Sequence, residues 1–345
     1  MSRIGRRSRI IDTVALFAGV CGFALVAGLV YQAVGSRRGA RRHPPPGELI
    51  DADGQRLHVI CAGEGRPAVV FESGIAASSL SWTRVQPDVA RLTRACAYDR
   101  AGLGWSDPST SARSVDRMIA DLRSVAGYAA PAQPVVIVAH SFGVFLALVY
   151  AMRYPADVAG LVLLDPPTEW QRVSGARARV LWGGIQLSRF GGLLARVGVV
   201  RACLALLTGG APAVPRTFLR VFGPAAARTV EHLVGEVRKL PSDVHPVLQT
   251  LWCQPKCFQG MAEHLRALPE AGAAAGAVRS LGDLPLAVVS AGDQPPHILA
   301  AHQALARLSS EGRHLIAARS GHWISFDQPE LVVRAVREII KAPSG

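Results

Sequence analysis

The sequence of 345 residues is short of acidic side chains and of aromatic ones. Aspartate and glutamate number 25 against 38 lysines and arginines, the formal net charge is +13, and aromatic residues make up only 6%. The basic residues are not interleaved with aromatic ones, and no finger or helix-turn-helix pattern accompanies them. Nucleic-acid binding is therefore not indicated. The positive charge is interpreted either as attraction to a membrane surface or as a feature of the composition without a specific partner.

Metal-ligand spacings and dinucleotide fingerprints are missing as well. Cys253 and Cys257 have no matching second pair, and His264 follows them without another histidine at ligand spacing, so no metal site is predicted. The glycines Gly102 and Gly104 lack the third glycine of a dinucleotide fingerprint. These absences exclude the commonest metal and nucleotide cofactors from the expected function.

Six cysteines are present, a number that leaves the redox compartment open. Cys21 lies in an apolar run near the N-terminus. Cys61 and Cys96 fall on predicted strands, where a buried free cysteine is common. The sequence therefore leaves the disulfide state of the six cysteines open.

That apolar run, Val14–Val34, carries no charge. At ~1.5 Å per residue a helix of this length spans roughly 30 Å, the thickness of a bilayer core. We predict one transmembrane helix at about 14–34 within an anchor of residues 1–42. A cleaved signal peptide is the alternative, although Ala33-Val34-Gly35 is a poor cleavage site. Four arginines flank the run on each side, so the orientation is undetermined.

The most informative stretch is Val135–Tyr154. Its first four residues are β-branched or apolar and predict a buried strand. From Phe142 the apolar residues recur at helical spacing, and the helix should end near Tyr154 because a proline follows. Ser141 lies between the two elements, where a tight strand-to-helix turn exposes a serine hydroxyl.

Such a turn needs small residues two positions before and after the serine, and Ala139 and Gly143 meet this demand. The pattern small-x-Ser-x-Gly resembles the nucleophile elbow of the α/β-hydrolase family, with Ala139 in place of the first glycine. The resemblance covers roughly Glu48–Lys341. It implies a mostly parallel eight-stranded sheet, and strands that alternate with helices along the chain favour the same α/β fold class.

The domain organisation follows from where this alternation stops. After the anchor we expect a first part of the core at 43–167, a helical cap at 168–282 and a second part of the core at 283–345. Between Trp170 and Val230 the cap has nine arginines and no acidic residue. It is interpreted either as a lid that rests on anionic lipid or as a cap whose exposed arginines keep it soluble.

A serine hydroxyl needs a base within reach and an acid that orients the base. Ser141, Asp293 and His322 each follow a predicted strand, in the Ser…Asp…His order of the family. The resemblance implies that they are nucleophile, orienting acid and base, with Asp165 as the alternative acid. The other histidines near the site are expected to be structural or surface residues: His140, His297, His302 and His314.

Acyl transfer also needs two N–H donors for the oxyanion. The backbone N–H groups of Ile75, after the third strand, and Phe142, after the nucleophile, are the candidates. Asp99 and Arg100 are expected to tie the neighbouring loop together through charge-assisted hydrogen bonds.

Relatives that open epoxides or remove halogens carry aspartate at the elbow, whereas this chain has serine. The resemblance then implies a membrane-anchored serine hydrolase that cleaves a hydrophobic carboxylic ester or lipid without a cofactor. Its expected partners are a small-molecule ester and, through the N-terminal helix, a lipid membrane. An amidase or aminopeptidase, an acyltransferase and a non-catalytic ligand-binding protein remain alternatives. The acid-free cap counts against an aminopeptidase, which must bind a substrate amine.

Overall fold

The computed structural model describes residues 3–109, 113–168, 174–208 and 239–342. The described residues include one sheet in the order β1-β2-β4-β3-β5-β6-β7-β8, antiparallel at β1-β2 and β2-β4 and parallel elsewhere. The strands are β1 Glu48–Asp51, β2 Arg56–Ala62, β3 Ala68–Glu72, β4 Ala95–Tyr98, β5 Val135–His140, β6 Val158–Leu164, β7 Leu286–Ala291 and β8 Gly312–Ala317. The mostly parallel eight-stranded sheet that the sequence predicts is confirmed.

Helices cover both faces of this sheet. The helices of the described residues are, in chain order, α1 Arg3–Arg42, α2 Gln86–Val89, α3 Val115–Ala129, α4 Phe142–Arg153, α5 Gly175–Arg196, α6 Val199–Thr208, α7 His245–Trp252, α8 Pro255–Ala275, α9 Pro296–Ala306, α10 Ile324–Asp327 and α11 Pro329–Lys341. One apolar core lies between the sheet and α3, α4 and α8, and the other lies between the sheet and α2 and α11. Because β5 is buried along its whole length between the two cores, it holds Ser141 on a rigid support.

One predicted helix is much shorter than expected. The sequence pattern of Trp82–Leu92 predicts a helix, but only Gln86–Val89 is α-helical, preceded by a 3₁₀ turn at Ser79–Trp82. Pro87 explains the difference, since a proline is tolerated only in the first turn of a helix and forces the helix to begin beside it. The Gln86 side chain then donates to the carbonyls of Ile60 and Ala95, which fixes the short helix against the sheet edge.

The N-terminal helix extends beyond the predicted span at both ends. Within α1 the segment Ala15–Arg42 contains an apolar window with mean hydropathy 1.9, only 6% of which is buried. By length and composition this helix is a candidate membrane span near the N-terminus, and a signal sequence would pass the same test.

Between β6 and β7 the described residues form the helices α5 to α8, which we call the insertion. Much of the acid-free stretch Trp170–Val230 lies outside the described residues, at 169–173 and 209–238. The cap boundaries 168–282 therefore stay a prediction.

The structure pairs the two cysteines that lie on strands. Cys61 and Cys96 are directly opposite each other in the antiparallel ladder of β2 and β4, with Cα atoms 4.1 Å apart, and form a disulfide. The sequence did not reveal this pair because the register of two strands 35 residues apart is set by the sheet.

This disulfide predicts that the protein matures in an oxidising compartment. We expect a maleimide to label four of the six cysteines of the denatured, unreduced protein and all six after reduction. Intact mass spectrometry measures the number of adducts. Six adducts before reduction would show that Cys61 and Cys96 are free thiols in the natural protein.

Candidate active site

Ser141 lies between the end of β5 and the start of α4 in a strained conformation. Its φ of 51° and ψ of −122° fall outside the regions that L-residues usually adopt. A Cβ at Gly143 would lie 2.7 Å from the Ser73 carbonyl oxygen, so only glycine fits where β3 ends against the elbow. Ala139 is fully buried, so the small residue in place of the first glycine fits the turn.

His322 is held beside the elbow from two directions. Its Nδ1 lies 2.6 Å from Oδ2 of Asp165, and its carbonyl oxygen lies 2.8 Å from Nε2 of His140. With Nδ1 bonded to a carboxylate, the neutral imidazole keeps its proton on Nδ1 and leaves Nε2 free to accept one. No hydrogen bond joins Ser141 Oγ to His322 in the structure, as is often found when a catalytic site is empty.

Asp165 follows β6 and is only 2% exposed. Besides His322, it accepts hydrogen bonds from the Ala291 N–H at 3.2 Å and from the Gln294 amide at 2.9 Å. Burial alone would raise the pKa of this carboxyl. The hydrogen bond and charge of His322, with the two further donors, outweigh burial and lower the pKa. Asp165 is therefore an ionised acceptor at neutral pH.

Asp293, the acid preferred from the sequence, does not contact the His322 ring. It lies exposed on the loop after β7, with Oδ2 3.7 Å from the position of a Cβ on Gly321. The geometry thus favours Asp165, the alternative, as the acid, and Asp293 stays a prediction from the sequence. The physical reason is sheet order: β6 lies beside β5, so its carboxyl end places an acid nearer the elbow than β7 does.

His140 is a structural residue of the elbow, in the role expected of it. Its ring is buried, with its centroid 4.6 Å from that of His322 and 4.9 Å from that of Trp323. Burial, followed by the positive charge that His322 can carry, lowers the pKa of His140 to about 3. It stays neutral and donates to the His322 carbonyl, which fixes the spacing between elbow and base.

The remaining histidines lie away from the elbow. His302 and His314 share the Ser290 hydroxyl, each at 2.7 Å, and His302 Nε2 also donates to the Pro166 carbonyl at 2.7 Å. His297 is exposed at the start of α9. None of the three contacts Ser141.

The two proposed oxyanion donors border the same space. Phe142 is the first residue of α4, where an N–H has no partner within the helix. The Ile75 N–H makes no hydrogen bond to another described residue. A Cβ on Gly74 would lie 3.4 Å from the Ser141 Cβ, so the loop that carries Ile75 passes directly beside the serine.

From the sequence Arg100 is expected to tie together its own loop after β4, whereas in the structure it supports the loop after β3. Its guanidinium donates to the carbonyls of Ser73 at 2.7 Å and of Gly74, and forms a buried ion pair with Glu72. Burial raises the pKa of the Glu72 carboxyl against the attraction of Arg100. Asp99 accepts from the Ser79 N–H at 2.7 Å, which ties the far end of the loop.

Phe142 is packed between two nitrogen-bearing side chains, Arg100 at 5.3 Å and His264 at 5.7 Å from its ring centroid. His264 was singled out from the sequence only as a poor metal-ligand candidate. It is fully buried, and neither ring nitrogen has a hydrogen-bond partner. Burial, followed by the charges of nearby arginines, lowers its pKa well below the usual value.

We expect His264→Phe to raise the free energy of unfolding by about 1 kcal/mol or more, because an unpartnered buried donor costs about 1–3 kcal/mol. The gain in free energy of unfolding should increase below about pH 6.5, by up to about 1.4 kcal/mol per pH unit. There the histidine of the unfolded parent protein binds a proton, whereas the buried His264 of the folded protein stays neutral. Denaturant unfolding at pH 7.5 and 5.5 measures both effects.

His302→Phe is the matched control, since His302 is equally buried but has both ring nitrogens bonded. It should lower the free energy of unfolding. If His264→Phe destabilises the protein as much as His302→Phe does, His264 has a partner that this account lacks.

An apolar cavity of about 200 Å³ adjoins the site. Its lining includes Ile75, which lies beside the elbow, and Trp323, which follows His322 in the chain. Its described lining also contains side chains of α7, α8 and α10: Leu248, Trp252, Cys257, Phe258, Met261 and Phe326. This composition suits a hydrocarbon group rather than a charged one.

Comparisons with known proteins agree with this architecture. A family model described as alpha/beta hydrolase fold matches residues 67–187. The chain has the α/β-hydrolase fold. It is similar to a thermophilic esterase from Thermogutta terrifontis, with 18% sequence identity and a TM-score of 0.57 over 84% of this chain and 95% of that one. At this identity the likeness concerns the fold alone.

Two curated relatives match over shorter stretches. The uncharacterized protein YqjL of Bacillus subtilis is 34% identical over 30% of this chain and 41% of its own length. A haloalkane dehalogenase of Sphingobium indicum is 32% identical over 36% of this chain and 44% of its own length. The chain thus spans less than half the length of either relative, and the second is a hydrolase by its name.

Proposed function

We propose that the protein is a serine hydrolase that cleaves a hydrophobic carboxylic ester through an acyl-enzyme on Ser141. The observation that carries the proposal is the 2.6 Å bond between His322 Nδ1 and a buried carboxylate, Asp165, beside a serine in the strained elbow conformation. A histidine oriented in this way is a base for a hydroxyl, and a hydroxyl needs such a base at neutral pH.

In the first half-reaction Ser141 Oγ attacks the ester carbonyl carbon while its proton passes to His322 Nε2. Asp165 stabilises the imidazolium, and the N–H groups of Ile75 and Phe142 stabilise the tetrahedral oxyanion. The alcohol leaves with the proton from His322. A water molecule then gives its proton to His322 and attacks the acyl-enzyme, which releases the carboxylic acid and restores Ser141.

The cavity beside the site indicates the substrate class. Its volume of about 200 Å³ lies below the ~300–1,000 Å³ of pockets for drug-sized ligands. Its described lining contains no acidic side chain that would bind a substrate amine. We therefore favour an ester with a small, apolar acyl group over the amide of an aminopeptidase substrate.

The apolar N-terminal helix supports a further part of the proposal, that the enzyme is held on a membrane by residues 1–42. Its apolar window is 6% buried, so most of the helix surface is left for lipid. The disulfide between Cys61 and Cys96 indicates that the hydrolase core faces the oxidising side of this membrane.

Hydrolysis of a p-nitrophenyl ester series from acetate to dodecanoate tests the activity. We expect short and medium chains to react fastest, and Ser141→Ala to lower the rate by about 10⁴-fold or more. Ser310→Ala, an exposed serine remote from the elbow, is the control and should leave the rate unchanged. Equal rates for Ser141→Ala and the parent would refute the assignment, and faster cleavage of the matching anilides would favour an amidase.

A further inference from the structure

The C-terminal half of α1 is not free of the rest of the protein. Gln32 is 5% exposed, donates to the Cys253 carbonyl at 2.9 Å and accepts from Arg201 Nε at 3.0 Å. Arg201 Nη2 also donates to Ser36 Oγ at 3.1 Å. The helix that carries the apolar run is therefore bonded to α6 and to the residue that ends α7.

Two glycines allow this close packing. A Cβ on Gly28 would lie 2.3 Å from the Val197 carbonyl oxygen, and one on Gly39 would lie 2.4 Å from Thr250 Cγ2. At ~1.5 Å per residue Gly28 lies roughly 9 Å inside the end of the run Val14–Val34. If the run spans a bilayer, the corner between α5 and α6 contacts α1 within the hydrocarbon layer, and the residues of α1 that follow Val34 lie at the headgroups.

At the headgroup level, where α1 continues past Val34, a groove of about 830 Å³ opens between α1, α6 and α7. Its described lining includes four arginines and no acidic residue: Arg38, Arg41, Arg42 and Arg201. The first three form no ion pair or hydrogen bond with a described side chain, whereas Arg201 is held in place by Gln32 and Ser36. Tyr31 lies at the apolar end of the groove, as aromatic residues do at membrane interfaces.

We propose that this groove binds the phosphate headgroup of an anionic phospholipid. Guanidinium groups bind phosphate oxygens through paired hydrogen bonds, and unpaired cations at the end of an apolar helix face the layer where lipid phosphates lie. A lipid is favoured over free phosphate because the groove, whose lining includes Tyr31 and Pro246, adjoins the apolar part of α1. The proposal rests on the membrane anchoring proposed above and is independent of the ester chemistry.

The groove also lies close to the apolar cavity. Thr250 and Cys253 face the groove, and Leu248 and Trp252 of the same segment line the cavity. One helical segment thus separates a bound headgroup from the space next to Ser141.

Calorimetric titration of the full chain in non-ionic detergent micelles tests the proposal with three probes: dihexanoylphosphatidylglycerol, dihexanoylphosphatidylcholine and inorganic phosphate. We expect saturable binding of the phosphatidylglycerol, no binding of the phosphatidylcholine, and much weaker binding of phosphate. Arg38→Gln should weaken the phosphatidylglycerol about fivefold, since one cation at a lipid surface contributes about that factor.

Arg37→Gln is the matched control, because Arg37 has the same charge and depth on α1 but does not line the groove. It should leave the affinity unchanged. Equal weakening by both variants would mean diffuse attraction rather than a site, and equally tight binding of inorganic phosphate would mean a site for soluble phosphate; either overturns the proposal. Ser141→Ala should bind the lipid normally, so loss of ester cleavage and loss of lipid binding are separable.

Discussion

Asp165→Asn is expected to lower kcat/KM for ester hydrolysis by about 10⁴-fold while the protein stays folded. Asparagine preserves the shape of the side chain but can donate its amide hydrogen to His322 Nδ1. The imidazole would then carry its proton on Nε2, where it cannot accept one from Ser141. Steady-state kinetics on the best p-nitrophenyl ester, together with circular dichroism of both proteins, measure the effect.

Asp293→Asn is the matched control, with the same chemical change on the loop after the next strand. Asp293 is exposed and makes no hydrogen bond to His322, so we expect kcat/KM to stay within about a factor of two of the parent. The opposite ranking, with Asp293→Asn the inactive variant, would reinstate the assignment made from sequence order.

Glu72→Gln is expected to lower the free energy of unfolding by about 3–5 kcal/mol. Glu72 is completely buried and pairs with the guanidinium of Arg100, which is 2% exposed. Removing one partner of such a pair leaves an uncompensated charge in the core. The same guanidinium donates hydrogen bonds to the carbonyls of Ser73 and Gly74, so the rate of ester hydrolysis should fall as well. Denaturant unfolding in detergent micelles and the ester assay provide the two readouts.

The pair of Arg56 and Asp107 provides the control, because its side chains are 59% and 36% solvent-accessible. Asp107→Asn removes a carboxylate from an exposed pair, and such pairs contribute about 0–1 kcal/mol. If the two variants change stability by similar amounts, the buried pair does not hold the loop as described.

The elbow could be predicted from the sequence because its signals are local. The apolar strand, the small residues around Ser141 and the helical spacing from Phe142 all lie within one short stretch, and the observed β5 and α4 follow them closely. His322 was found in a similar way, since it follows the last strand in a Gly-His turn.

Features that depend on strand neighbours could not be predicted in this way. Asp165 and Asp293 both follow strands, and only the placement of β6 beside β5, with Gln294 and the Ala291 N–H turned toward Asp165, separates them. The disulfide between Cys61 and Cys96 likewise needs the register of β2 on β4. Sequence patterns specify elements better than they specify which elements meet.

The most direct test of the account is to treat the intact protein with a fluorophosphonate and map the adduct by peptide mass spectrometry. The account predicts one adduct, on the peptide that contains Ser141, with strongly slowed labelling in Asp165→Asn and normal labelling in Asp293→Asn. An adduct on another serine, or no adduct on a folded protein that cleaves esters, would contradict the assignment of Ser141 as the nucleophile.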